Sequence, residues 1–268
     1  RYIFIPVFGF ISALGIGYGI AIVLFTILVR IVMSPVTYKS YLSQAKMKVL
    51  RPEITELNEK FKDNPMKKQQ ETMKLYSKAG VNPMAGCLPA LMQMPIFYAL
   101  FQFFPSMFDL RQKSFLWADD LSSYDSIYQL PFHIPFYGSH VSLFPILASI
   151  AIFFYMKMTT GDQAMSTPPQ EGMPDMGKIM KIMIYISPVM MLFFFNNYAS
   201  GLSLYYFISN LITIGIMLVI KNYIVKEDKI HAQIQENKTK EKKESKFQRK
   251  MREMMEQAEA QKAAQKKK

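Results

Sequence analysis

The stretch 14–33 (LGIGYGIAIVLFTILVRIVM) holds one charged residue and no Pro in 20 positions. Wound as a helix it covers about 30 Å, the thickness of a bilayer's hydrocarbon layer. Four more windows share this character, at about 87–104 (with Pro89 and Pro95 inside), 142–158, 179–195 and 202–220. Half the residues are hydrophobic although the formal net charge is +12, and most of the 32 Lys and Arg fall in 39–78 and 221–268. Soluble proteins intersperse apolar and charged residues, whereas separation by region marks a polytopic membrane protein. The predicted fold class is therefore all-α, with five transmembrane helices. Only 196–201 (NNYASG) joins the last two windows, so those helices form an antiparallel pair.

The positive charges set an orientation. Residues 34–86 carry 10 Lys and Arg, 157–181 carry 3 and 221–268 carry 15, against Arg1, Arg111 and Lys113 on the opposite side. The basic segments face the cytoplasm, and the chain ends there. Residues 1–13 are aromatic-rich and too short to span, which suits an interfacial segment on the outer surface, although Pro6 and Gly9 weaken a helix there. Within 36–80, Met47, Leu50, Ile54, Leu57 and Phe61 recur at helical spacing, as do Met66, Met73 and Tyr76 beyond Pro65. Two helices, 36–61 and Pro65–Ala79, thus form a charged cytoplasmic hairpin. The outer loop 105–141 gathers Asp109, Asp119, Asp120, Asp125 and the only Trp, Trp117. Residues 161–177 read as a flexible cytoplasmic loop. The tail 226–268 carries 14 basic and 8 acidic residues, so it is disordered or a solvated helix. The start at Arg1, with neither Met nor a signal-peptide pattern, reads as that of a fragment or processed product.

Arg30 is the one Lys, Arg, Asp or Glu well inside a window. A charge at that depth faces a polar cavity, or it snorkels to the nearby interface. No carboxylate lies in any window to neutralise it, while Thr26, Gln93, Ser187, Asn210, Tyr205 and Tyr206 offer polar company. A hydrated, positive pocket in the cytoplasmic half would take an anionic or polar guest. Catalysis finds little material here. There is no HExxH or P-loop pattern, and His133, His140 and His231 lie in loops and tail. Cys87 is the single Cys, and a packing residue by type. No metal, cofactor or catalytic residue is expected. A small-solute or ion transporter stays as the alternative, although one Arg and no internal repeat speak against it.

Three runs carry a family resemblance: YKSYLSQAKMKVLRPEITELNEKF, LYSKAGVNPMAGCLPALMQMPIFYALF and YASGLSLYYFISNL. Over roughly 14–225 the chain resembles the YidC-type membrane protein insertases (YidC/Oxa/Alb). The resemblance implies five helices around a hydrophilic groove, open to the cytoplasm and to lipid but closed outside. Gram-negative members add an N-terminal span and a periplasmic domain, both missing from this chain. Arg30 in ILVRIVMSPVT stands where that family has its groove arginine, and Thr26, Gln93, Phe97, Tyr205 and Tyr206 match positions facing the groove. The function so implied is a bacterial inner-membrane insertase and chaperone that works without nucleotide hydrolysis, alone or with the Sec translocon. Its partners would be nascent membrane proteins, membrane lipids and the ribosome. Lys240, Lys242, Lys243, Lys266, Lys267 and Lys268 in the tail are the expected contacts to ribosomal RNA phosphates, with acidic lipid head groups or a merely solvated charge run as the other readings of the tail.

Overall fold

A computed structural model describes residues 4–62, 64–82, 88–164, 176–224 and 227–239. Its helices are α1 (Phe4–Ser12), α2 (Tyr18–Val49), α3 (Arg51–Lys60), α4 (Pro65–Ala79), α5 (Leu88–Ser106), α6 (Leu143–Ala164), α7 (Met176–Asn196), α8 (Ser200–Val219) and α9 (Glu227–Thr239). A two-stranded antiparallel sheet, β1 (Tyr128–Ile134) and β2 (Gly138–Val141), lies between α5 and α6. The fold is thus overwhelmingly helical, as expected.

Among the described residues, three helices are long and apolar enough to cross a membrane: Tyr18–Val49, Gly177–Asn196 and Ser200–Tyr223. The apolar part of α6, Leu143–Thr159, is shorter. In α5, Gln93, Gln102, Pro95 and Pro105 dilute the apolar run. Both nevertheless pack on the same partners, α2 and α8. α8 is the central helix, with small residues such as Ser200, Gly201 and Ser203 buried along it. A Cβ at Gly201 would come within 2.9 Å of the Leu121 carbonyl oxygen and of the Phe104 ring, so only Gly permits that approach.

α2 has 32 residues, about 48 Å of helix, so the first window and the start of the hairpin are one rod. Pro35 lies inside it without ending it, and the Thr37 hydroxyl donates to the Met33 carbonyl at 3.2 Å. The break comes instead at Leu50. Pro52, in the first turn of α3, cannot continue the preceding helix, so the expected single helix 36–61 is two. α4 starts as the sequence foretold: the Asn64 side chain accepts from Lys67 N at 3.1 Å, just before Pro65. It stops at Gly80, which takes the left-handed φ of 67°.

Two clusters hold the molecule. The larger joins Phe8, Ile22, Phe25, Leu100, Phe103, Phe104, Leu121, Phe144, Phe195 and Tyr205. α1 enters it through Phe8, whose ring meets Phe25 and Phe103 edge-on at 6.1 and 5.5 Å, while Phe10 and Leu14 stay exposed. The smaller cluster ties α2, α3 and α4 to α9 through Met47, Leu50, Ile54, Tyr76, Ala79, Val81, Ile230 and Ile234. The first part of the tail is therefore a docked helix, neither disordered nor solvated all round.

The end of the bundle remote from α3 and α4 is sealed by polar contacts as well as rings. Asp125 Oδ2 accepts from Trp117 Nε1 at 3.0 Å and from the first N–H groups of α6, Leu143 at 2.8 Å and Phe144 at 2.9 Å. Asn196, at the end of α7, accepts from Ser142 N at 3.0 Å and donates to the Tyr137 and His140 carbonyls at 2.8 and 2.9 Å. The segment 105–141, read from sequence as a plain loop, is a folded cap.

Candidate functional site

Arg30 projects from α2 toward α8, where its Nε donates to the Ser209 hydroxyl. Ser209 is fully buried and Arg30 half-buried. The guanidinium therefore turns into the bundle, not out to the interface. Tyr155 on α6 and Tyr205 and Tyr206 on α8 lie within its electrostatic reach. Among the described residues no carboxylate pairs with it.

Gln93 on α5 lies beside the Tyr205 and Tyr206 hydroxyls. Its Nε2 and both tyrosine hydroxyls are buried close together, yet none of them makes a hydrogen bond of good geometry. Buried polar atoms are nearly always paired, and each one left unpaired costs about 1–3 kcal/mol. A seam of them beside a cation can be satisfied by water or by polar groups of a guest. Aromatic rings wall the seam. Phe97 lies 5.9 Å from Phe101, 6.4 Å from Phe194 and 5.9 Å from Tyr206, and Phe195 stacks on Tyr206 at 5.3 Å.

The fold thus gathers Arg30, Gln93, Phe97, Tyr205 and Tyr206. Thr26 stands apart from the seam in character: it is 0% exposed, and its hydroxyl donates to the Ile22 carbonyl at 2.7 Å. It belongs to the packed wall of α2. Asn210 is likewise satisfied within α8, on the Tyr206 carbonyl at 2.7 Å. Sequence reasoning missed Ser209 and Tyr155. Ser209 had a signal, since it follows Tyr205 by four positions and Tyr206 by three, on one helix face. Tyr155 had none, because nothing in its window tells which face meets α2. Lys240, Lys242, Lys243, Lys266, Lys267 and Lys268 lie outside the described residues.

The family model described as 60Kd inner membrane protein matches residues 9–229. A Parabacteroides distasonis protein named membrane protein insertase YidC is 49% identical over 251 residues, covering 91% of this chain and 38% of that protein. Proteins of the same name from Bacteroides fragilis and Porphyromonas gingivalis are 47% and 43% identical, covering 89% and 100% of this chain and 38% and 43% of their own lengths. The chain therefore spans about two fifths of the length of the curated relatives it matches.

Proposed function

The chain belongs to the 60Kd inner membrane protein family, and from that premise we propose that it inserts nascent small membrane proteins from the cytoplasm into the lipid bilayer. One observation carries the mechanism: Arg30 turns inward beside the unpaired polar atoms of Gln93, Tyr205 and Tyr206. A hydrophilic segment that must cross about 30 Å of hydrocarbon gains a polar path in that seam. The Arg30 cation draws an acidic segment into it, and the half-exposed Phe97 meets the apolar part of the same chain. The substrate's own helix then leaves sideways into lipid. Its burial, at about 25 cal/mol per Å² of apolar surface, supplies the free energy without nucleotide hydrolysis.

In this reading α2, α5, α6, α7 and α8 are the five spans, and α3, α4, α9 and the C-terminus lie in the cytoplasm. The sealed end faces outward in the inner membrane. The tail lysines Lys240, Lys242, Lys243, Lys266, Lys267 and Lys268 hold ribosomal RNA, and the Sec translocon joins for some substrates. The relatives' shared name gives the transporter alternative no support. Photo-crosslinkers at Gln93 and Tyr206, with a ribosome-bound nascent chain as target, test the proposal. Crosslinks to the segment being translocated are expected there and not at Ser139 on the sealed end. Equal yields at all three positions would remove the polar seam from the path.

A further inference from the structure

The β1–β2 hairpin offers a surface that the polar seam does not use. Between positions 126 and 156 the chain has no Asp, Glu, Lys or Arg. Within that stretch Tyr128, Phe132 and Phe136 are 62%, 60% and 91% exposed. Phe136 stands at the tip with a φ of 66°. That left-handed conformation is strained for a residue with a side chain and suits Gly or Asn far better. An aromatic ring held in a strained position, and packed on almost nothing in its own chain, points to a contact beyond it.

The level of the tip follows from α7. Gly177–Asn196 is long and apolar enough to span, with 20 residues or about 30 Å of helix, so its last turn marks an edge of the hydrocarbon. That turn grips the tip. Asn196 Nδ2 donates to the Tyr137 carbonyl at 2.8 Å, Asn197 Nδ2 donates to the Phe136 carbonyl at 3.3 Å, and the Tyr137 ring meets Phe193 edge-on at 5.3 Å. Gly138 belongs to the same fit, since a Cβ there would come within 2.7 Å of the Asn197 side-chain oxygen. Phe193 and Phe194 are themselves exposed on the spanning helix. The uncharged rings of the hairpin thus continue the lipid-facing surface of α7 at the depth where aromatic residues concentrate in membrane proteins.

We propose that the β1–β2 hairpin is a lipid anchor, its Phe132 and Phe136 rings seated in the membrane–water interface, and that it fixes the depth of the α7–α8 pair. The test uses the chain of residues 1–268 with Cys87→Ser and single cysteines at Phe132, Phe136 or Ser139, an exposed β2 position. Each carries the same environment-sensitive dye, in phosphatidylcholine vesicles containing lipids with a nitroxide near the headgroup. Blue-shifted emission quenched by the nitroxide lipid is expected at 132 and 136, with water-like emission at 139. The shared dye removes its own apolarity from the comparison. Water-like emission at all three positions would overturn the anchor. So would a blue shift at 132 and 136 that the nitroxide lipid fails to quench, which would report a protein partner over the hairpin.

Discussion

Arg30 combines a charge with a shape, and substitution separates them. The guanidinium has five donors, of which Nε is engaged by Ser209. Its remaining donors can meet a carboxylate of a passing segment, and a Lys keeps the charge without the fork. Arg30→Lys should therefore retain much insertion of substrates with acidic translocated segments, and Arg30→Ala should lose it, with substrates of neutral segment suffering less. Protease protection of each substrate in proteoliposomes measures both, and equal loss for the two kinds would assign Arg30 a structural role. Asp125 gives a prediction in pH. Burial pushes its carboxyl above the ordinary 3.8, against the opposing hydrogen bonds from Phe144, Trp117 and Leu143. The folded state then binds a proton more tightly than the unfolded one, so this group's contribution to stability falls as pH rises from 3.8 through the raised value. Since Trp117 is the only Trp and bonds to this carboxylate, its emission should titrate in that window and lose the step in Asp125→Asn. A titration that survives the substitution would exclude Asp125 as its source. Much of the site was legible because Arg30, Gln93, Tyr205 and Tyr206 are polar residues in apolar windows. The pairing of Arg30 with Ser209 was not, because the two stand 179 positions apart and only helix packing brings them together.

At the scale of elements, local chemistry was readable where a residue acts on its own backbone. Asn64-Pro65 started α4 and Gly80 ended it, as such residues do. Pro35 and Pro52 were harder, since which Pro breaks a helix depends on how its neighbours pack. The largest departure from expectation is α9, whose charge-rich sequence reads as solvated. Two apolar residues four apart, Ile230 and Ile234, dock it nearly fully buried against α2, α3 and α4, and Asn237 Nδ2 donates to the Ala79 carbonyl at 3.3 Å. An isolated helix of 13 residues is marginal in water, so its order depends on that docking. Truncating a buried Ile to Ala costs about 2–5 kcal/mol, more than so short a helix can bear. Ile234→Ala should therefore release α9 while the bundle stays folded. Hydrogen exchange should then quicken in α3, α4 and α9, beyond the faster opening than α8 expected for them in the unsubstituted protein. Acceleration spread evenly into α8 would show that the two clusters unfold as one.

The whole molecule is built differently at its two ends. The end capped by β1 and β2 is closed by buried hydrogen bonds of Asn196 and Asp125 over a continuous aromatic core. The other end is held by one small apolar cluster, and the polar seam around Arg30 lies in the bundle between them. Motion is therefore expected to be cheaper at the end formed by α3, α4 and α9. The tail is attached at that end, so its charge and its packing must be removed separately. Residues 240–268 carry 11 basic and 5 acidic residues, whereas Ile230 and Ile234 lie before them. Deleting 240–268 should leave hydrogen exchange in α3 and α4 unchanged. It should also weaken ribosome association and flatten its salt dependence, by about 0.7–0.9 in log–log slope for each phosphate that the tail no longer neutralises. Deleting 226–268 removes α9 as well and should add fast exchange in the helical hairpin to the same weakening. Sedimentation with ribosomes over a salt series reads the first effect, and exchange reads the second. Ribosome association that survives the shorter deletion with its salt dependence intact would show that 240–268 is a solvated charge run.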